Sequence, residues 1–293
     1  MNQKVLNNFP ANSQLMNEGY TVVNFAEETD IDELYRFYEQ HPYPTQSPFH
    51  TTHFSTDTAY KTSMHQYIVS FLQKALQNQF VNHVPVFANF MVKEGGGGNP
   101  MPLHADWTYV EEDVSQSFAV WIPLIDTDVQ NGCIGVIPFS CQLSHKIRGP
   151  RILQWEAPIG DLLIEKMGKL IPMKKGQALI YNHRTLHYSP PNNSQKIRPA
   201  INISLVPQNE PVIHYTIPEG ENKILKFIVD DETFFLYYNN FQMPFKGKKV
   251  SNLVSIPELI NLRVPEFISM HHPALNNSQQ LLQKIKNWLS SAE

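Results

Sequence analysis

Cysteine is almost missing from this chain: Cys133 and Cys141 are the only two among 293 residues. Two thiols make neither a disulfide framework nor a zinc ribbon, so a reducing compartment is expected and both read as small core residues. An excess of positive charge is missing too. Lys plus Arg number 23 against 27 Asp plus Glu, with no dense basic stripe. Nucleic-acid binders draw most of their affinity from phosphate contacts, so this balance argues against such a partner. No run approaches the roughly 18 apolar residues that a membrane span requires. Residues 1–20 lack the apolar stretch of a secretory signal. The glycine run in "EGGGGNP" (94–100) has neither the Lys-Ser/Thr nor the following helix of a phosphate loop, and reads as a flexible turn. These absences predict a cytoplasmic protein that meets a small molecule, with no nucleic acid and no membrane as partner. They leave a homo-oligomer open.

What is present is ordinary globular composition, 42% hydrophobic and 17% charged, in a chain long enough to bury a real core. "GYTVVNF" (19–25) reads as a short strand and residues 27–41 as a helix, with Ile31, Leu34, Phe37 and Tyr38 at helical spacing. Residues 42–58 have loop composition. Residues 59–80 read as an amphipathic helix with Met64, Tyr67, Ile68, Phe71 and Leu72 on one face. From residue 85 the period changes: "PVFANFMVKE", "FAVWIPLID", "CIGVIPFS", "QALIYNH" and "PAINISLVP" are short β-rich runs between Gly, Pro, Asn and Asp clusters. About seven or eight such strands suit a closed or two-sheet β architecture flanked by helices. The expected organisation is one domain over 1–293, divided into N-terminal helices (1–84), a β core (85–207) and C-terminal strands with a final helix (208–293). That last part holds "KILKFIVD", "ETFFLYYNNF" and a helical pattern near 277–290.

Two stretches carry chemistry. "PLHADWTY" (102–109) holds His104 and Asp106 at i and i+2, a spacing that puts both on one face of a strand. Alone, that pair is a weak signal. Its weight rises with His187, 81 residues after Asp106, on a run able to pair with it. Two histidines and one carboxylate leave three open places on an octahedral metal, which suits non-haem Fe(II) and O₂. The same residues could instead form the tetrahedral site of a zinc hydrolase. Arg198 stands 11 residues beyond His187, past "YSPPNNSQ", where a returning antiparallel strand brings it near the same pocket. A guanidinium there offers a bidentate partner to the distal carboxylate of a dicarboxylate. His183, four residues before His187, also shares the strand face; Arg198 selects His187 as the ligand and leaves His183 as pocket wall or core.

His104-Ala105-Asp106, then "SFAVWIPLIDTDVQNGCIGVIP" (117–138), then "GQALIYNHRTLHYSPPNNSQKIRPAINIS" (176–204), together resemble the phytanoyl-CoA dioxygenase-like family of Fe(II)- and 2-oxoglutarate-dependent oxygenases. The resemblance implies a mainly β fold with flanking α-helices, a double-stranded β-helix (jelly roll, cupin-like) core. It implies that His104, Asp106 and His187 bind iron and form the catalytic centre. Arg198, assisted by Ser189, would hold the distal carboxylate of 2-oxoglutarate; Trp121 would line the cosubstrate site, and Asn89 would touch its other carboxylate. Relatives usually read Pro-Gly-Ser-His where this chain has Pro138-Phe139-Ser140-Cys141, which alters the local turn but touches no ligand. A carboxylate at 106 fits hydroxylation or a related oxidation, since halogenating relatives carry a small residue there.

The activity implied is hydroxylation of an unactivated C–H bond in a small molecule, using Fe(II), 2-oxoglutarate and O₂ and releasing succinate and CO₂. Amino-acid or secondary-metabolite tailoring is the expected setting. Desaturation or cyclisation is the alternative outcome; a non-catalytic ligand-binding protein and a zinc hydrolase are further alternatives. Loop 42–58 with His50 and His53, segment 145–156 and the aromatic run 234–241 are the candidate specificity segments. Trp107, Arg148 and Arg151 are the candidate substrate contacts, the arginines for an anionic group.

Overall fold

The computed structural model describes residues 4–43, 45, 47–143, 147–152, 160–217 and 223–229, and the backbone alone over 248–253. The N-terminal part runs α1 (Phe9–Glu18), β1 (Tyr20–Asn24), α2 (Glu28–Gln40), β2 (Phe49–Thr51), a 3₁₀ turn (Thr52–Phe54) and α3 (Thr58–Gln79). Then come β3 (His83–Lys93), β4 (Met101–His104), β5 (Phe118–Pro123), β6 (Gly135–Val136), a 3₁₀ turn (Ser140–Gln142) and α4 (Gly160–Met167). β7 (Lys169–Leu170), β8 (Gln177–Asn182), β9 (His187–Ser189) and β10 (Arg198–Pro207) complete the core, followed by β11 (Val212–Thr216), β12 (Ile224–Val229) and β13 (Lys248–Leu253).

Alternation along the strands sorts these residues into two faces. In β5, Phe118, Val120 and Ile122 point outward, while Ala119 and Trp121 point inward; in β8, Ala178 and Ile180 go out, Leu179 and Tyr181 in. The outward residues of β3, β5, β8 and β10 pack beneath α1, α2 and α3, including Ile31, Leu34, Met64, Ile68, Leu72 and Leu76. The inward ones meet Ile134, Val136, Ile171 and Met173 from the opposite side. Buried on both faces, β5 is apolar at every position, as a covered sheet demands.

The covered sheet has six strands in the order β1-β8-β5-β10-β3-β2, and the one facing it has four, β4-β9-β6-β7, all antiparallel. This is the double-stranded β-helix the resemblance implied. A further sheet, β11-β12-β13, follows β10. No helix among the described residues is long and apolar enough to cross a membrane.

Several local expectations change. The 42–58 loop contains β2, which pairs with the C-terminal half of β3 through Phe49↔Lys93 and Thr51↔Met91, and the 3₁₀ turn after it. Helix α1 was not anticipated, because only Asn12 and Leu15 are buried along it and no apolar stripe marks it. Its ends are nonetheless written in the sequence: Asn8 caps the start by accepting from the Ala11 amide, Pro10 fits the first turn, and Gly19 closes it at φ 85. "CIGVIPFS" contributes only the two residues of β6 before a turn in which Phe139 takes φ 66. A bulky side chain thus occupies the left-handed conformation where relatives place glycine, a strained choice. The aromatic run 234–241 and the helix expected near 277–290 lie outside the described residues.

Candidate metal centre

β4 and β9 are antiparallel neighbours, and their register sets His104 directly opposite His187. Cross-strand partners project from the same face, and the two imidazole centroids stand 4.2 Å apart. β4 ends at His104, so Asp106 is delivered by the turn that follows rather than by the strand itself. Its Oδ1 lies 3.8 Å from His187 Nε2. One ligand atom from each of the three residues falls within 4.8 Å of the others.

Backbone carbonyls two residues upstream fix both imidazoles. His104 Nδ1–H donates to the Pro102 carbonyl at 2.8 Å, and His187 Nδ1–H to that of Thr185 at 3.0 Å. Both Nε2 atoms then carry an unprotonated lone pair, the tautomer a metal-binding histidine needs. Among the described residues, His187 Nε2 has only the Tyr181 hydroxyl as a hydrogen-bond partner, at a long 3.5 Å. Burial, helped by His187, pushes His104 down to about 4, which keeps that lone pair free of a proton. Burial works to raise the Asp106 carboxyl, but His187, His183 and His104 around it and the Tyr181 hydroxyl bonded to it hold it below the usual value. Asp106 Oδ2 is buried without a hydrogen-bond partner. An orphaned carboxylate oxygen beside two imidazole lone pairs fits a divalent metal.

His183 is not part of this group. Its Nδ1 pairs with Ser117 Oγ at 2.8 Å, its ring lies 4.7 Å from that of Tyr109, and burial drives it down to about 3. It is a neutral residue packed behind the site.

Two cavities open here, one on all three residues and the other on His104 and Asp106. The smaller, about 70 Å³, is lined by Trp121, Ser189, Arg198 and Asn202 together with His104, Asp106 and His187. Alternation along β10 turns Arg198 and Asn202 inward, opposite to Ile201 and Ile203. Arg198 is 2% exposed, and its Nε and Nη1 have no hydrogen-bond partner among the described residues. Its guanidinium carbon sits 5.2 Å from the Trp121 ring centroid, and burial lowers it to about 10. A buried cation with two unanswered donors fits a carboxylate. Its cross-strand neighbour Lys93 is fully buried and ties down the segment after β9, donating to the carbonyls of Ser189 (3.2 Å) and Pro190 (2.6 Å). Burial and then Arg198 bring Lys93 down to about 7.

The larger cavity, about 240 Å³, lies on the other side of His104 and Asp106. Asn89 lines it, hydrogen-bonded to Thr51, and does not line the cavity that holds Arg198. Trp107 lines it too, its ring edge-on to His214.

The two arginines expected at the substrate are placed otherwise. Arg148 is 5% exposed and closed on both sides: Nη1 and Nη2 grip Glu112 at 3.0 and 2.6 Å, and Nε donates to the Asp106 carbonyl at 2.6 Å. Glu112 neutralises it and the Asp106 backbone occupies its remaining edge, so it braces the metal loop and offers nothing to an anion. Arg151 is exposed, at φ 64, and lines neither cavity. Sequence reasoning missed Tyr181, which reaches both Asp106 and His187, and missed Glu112, which also meets Arg184 at 3.5 Å. Tyr181 shares its inward parity with Leu179, a visible signal; the Glu112 contacts span 36 and 72 positions and leave none.

A family model described as phytanoyl-CoA dioxygenase (PhyH) matches residues 18–200, well over half of the chain. "Phytanoyl-CoA dioxygenase domain-containing protein 1" of Danio rerio is 26% identical over 127 residues, 41% of this chain and 44% of that protein. "Phytanoyl-CoA dioxygenase" of Arabidopsis thaliana is 28% identical over 120 residues, 40% and 42% of the two chains. The match thus spans less than half the length of these curated relatives. A solved structure, a "non-heme alpha ketoglutarate dependent carbocyclase" from nogalamycin biosynthesis, superposes with a TM-score of 0.52 at 14% identity. It covers 83% of this chain and 96% of its own. At that identity the likeness concerns the fold.

Proposed function

Because the chain belongs to the phytanoyl-CoA dioxygenase family, we propose that it is an Fe(II)- and 2-oxoglutarate-dependent oxygenase oxidising a C–H bond of a small molecule. The observation that carries this reading is the pairing of two complementary orphans in one pocket. Asp106 Oδ2 lacks a partner beside the two histidines, and Arg198 lacks one across the same cavity. A zinc hydrolase would need the three ligands but has no use for a buried, unanswered guanidinium.

When bound, Fe(II) with 2-oxoglutarate and O₂ supplies an oxidant able to break a C–H bond, at the expense of 2-oxoglutarate, which leaves as succinate and CO₂. The protein's part is placement. His104, Asp106 and His187 hold the metal, with the Pro102 and Thr185 carbonyls setting the imidazole orientation. Arg198, with Ser189 beside it, anchors the distal carboxylate, and Trp121 walls the cosubstrate away from water. The second cavity presents the substrate from the far side of His104 and Asp106.

Two outcomes of the same chemistry compete. Hydroxylation rests on the family resemblance. Ring closure or desaturation has the support of the superposed carbocyclase. A panel of candidate metabolites, screened for substrate-stimulated succinate formation and followed by mass spectrometry, separates them: hydroxylation adds one oxygen, whereas ring closure or desaturation removes two hydrogens. Absence of 2-oxoglutarate consumption with every member, in protein that also fails to bind 2-oxoglutarate, would sink the reading.

A further inference from the structure

The larger cavity is aromatic and almost without charge. Phe54, Phe87, Trp107 and Tyr109 form much of its wall, with Phe54 45% exposed at the rim. Among the described residues that line it, Asp106 alone carries a formal charge, and that carboxylate is committed to the metal. The described cations nearby do not line it. Arg198 faces the other cavity and Arg148 is closed by Glu112; Lys61, buried on α3, is near enough to His53 to act on its charge but does not line the cavity.

Two polar atoms in this wall are unanswered: His53 Nδ1 and Asn202 Oδ1, the latter on a residue shared with the smaller cavity, are buried with no hydrogen-bond partner among the described residues. An amide oxygen can only accept, whereas an imidazole nitrogen donates or accepts according to tautomer. A hydroxyl satisfies both, since it donates to one and donates to or accepts from the other. A carboxylate can accept from His53 in its Nδ1–H tautomer but has no proton for Asn202, so it leaves that oxygen unanswered.

Resting on the oxygenase reading above, we propose that this cavity takes a neutral hydroxylated ring compound. Its apolar face lies on the aromatic wall and its hydroxyls reach His53 and Asn202. Free amino acids, carboxylates and phosphorylated carriers are disfavoured within it. Such ligands would bring a charge against an aromatic wall in which no described lining residue supplies a free counter-charge. Burial, and then the nearby Lys61, lower His53 to about 4, so its imidazole is uncharged near neutral pH. This narrows the amino-acid or secondary-metabolite setting expected from the sequence to the second.

Binding to the anaerobic protein loaded with Fe(II) and 2-oxoglutarate tests the idea, using matched probes. p-Nitrophenyl β-glucoside and neutral cyclic polyols are compared with p-nitrophenyl β-glucuronide, sugar phosphates and phenylalanine by calorimetry. The expected result is at least about tenfold tighter binding of neutral members than of their charged counterparts. His53→Phe should weaken the neutral probes while 2-oxoglutarate affinity, the control for folding, is retained. A charged member binding as tightly as its neutral match, or no neutral member binding at millimolar concentration, overturns the inference. Failure of the wild-type protein to take up Fe(II) and 2-oxoglutarate overturns the oxygenase reading instead, and this inference falls with it.

Discussion

Arg198 shows how one residue is made specific by what it lacks. A surface arginine would find water or a carboxylate; this one is 2% exposed, lies against Trp121 and has two nitrogens without a partner. Keeping an unpaired guanidinium buried is costly, and a bound dicarboxylate removes that cost through a fork-to-fork pair. Arg198→Lys keeps the charge but loses the planar fork, so 2-oxoglutarate affinity should fall roughly 10- to 100-fold while metal binding is unchanged. Calorimetry with Fe(II)-loaded protein reads both quantities. The neighbouring histidines separate in the same way. His187→Ala should abolish Fe(II) binding; His183→Ala should leave most of it, because His183 pairs with Ser117 and not with the metal group. Metal content after anaerobic reconstitution distinguishes them. Spacing left His183 and His187 equivalent as candidates; the register of β9 against β4 selects one.

At the scale of elements, legibility followed length. β3, β5, β8 and β10 have 11, 6, 6 and 10 residues, enough for alternation to appear in the sequence. β2, β6, β7 and β9 have two or three, too few for any period, and exist because partners distant in sequence hold them. The metal centre is built on short β9, four-residue β4 and the segment after it, so its ligands were readable as residue types while its supports were not. Glu112 is the clearest support. It joins Arg148, which holds the Asp106 carbonyl, to Arg184, three residues before His187. Replacing it by Gln leaves a buried positive charge unanswered. Glu112→Gln should cost about 3 kcal/mol of stability in chemical denaturation and weaken Fe(II) binding as the Asp106 loop loosens. Gly135 bears on β9 from the other side: a Cβ there would stand 2.5 Å from the Tyr188 ring, next to His187. Gly135→Ala should therefore lower both the unfolding midpoint and metal affinity, whereas Gly96→Ala, in open space, should leave the metal affinity alone. Its positive φ of 93 makes that second change only a backbone strain.

For the whole molecule, the buried histidines set the response to acid. Burial lowers His53 to about 4 and His183 to about 3, below the ordinary value near 6.5 that they regain when unfolded. The unfolded chain therefore binds protons that the folded one refuses. Stability is full above about pH 6.5 and declines as pH falls toward 4 and 3. Each imidazole contributes a few kcal/mol, with no comparable loss between pH 7 and 8 from these groups. Urea midpoints measured across that range check the direction, and a flat profile between pH 6.5 and 4 would contradict it. The architecture that imposes this burial also makes the site: helices cover one face of the large sheet, the small sheet covers the other, and inward residues of β3, β5, β8 and β10 are left facing the metal group.

Function in this protein turns on one proposed division of labour: His104, Asp106 and His187 hold a metal, and Arg198 anchors 2-oxoglutarate beside it. Anaerobic equilibrium binding of Fe(II) and 2-oxoglutarate to the wild type, His187→Ala and Arg198→Leu tests this directly. The wild type should bind one Fe(II) per chain and 2-oxoglutarate only with the metal; His187→Ala should lose Fe(II), and Arg198→Leu should lose 2-oxoglutarate while retaining Fe(II). Undiminished Fe(II) binding by His187→Ala, or 2-oxoglutarate binding indifferent to both the metal and Arg198, would contradict it.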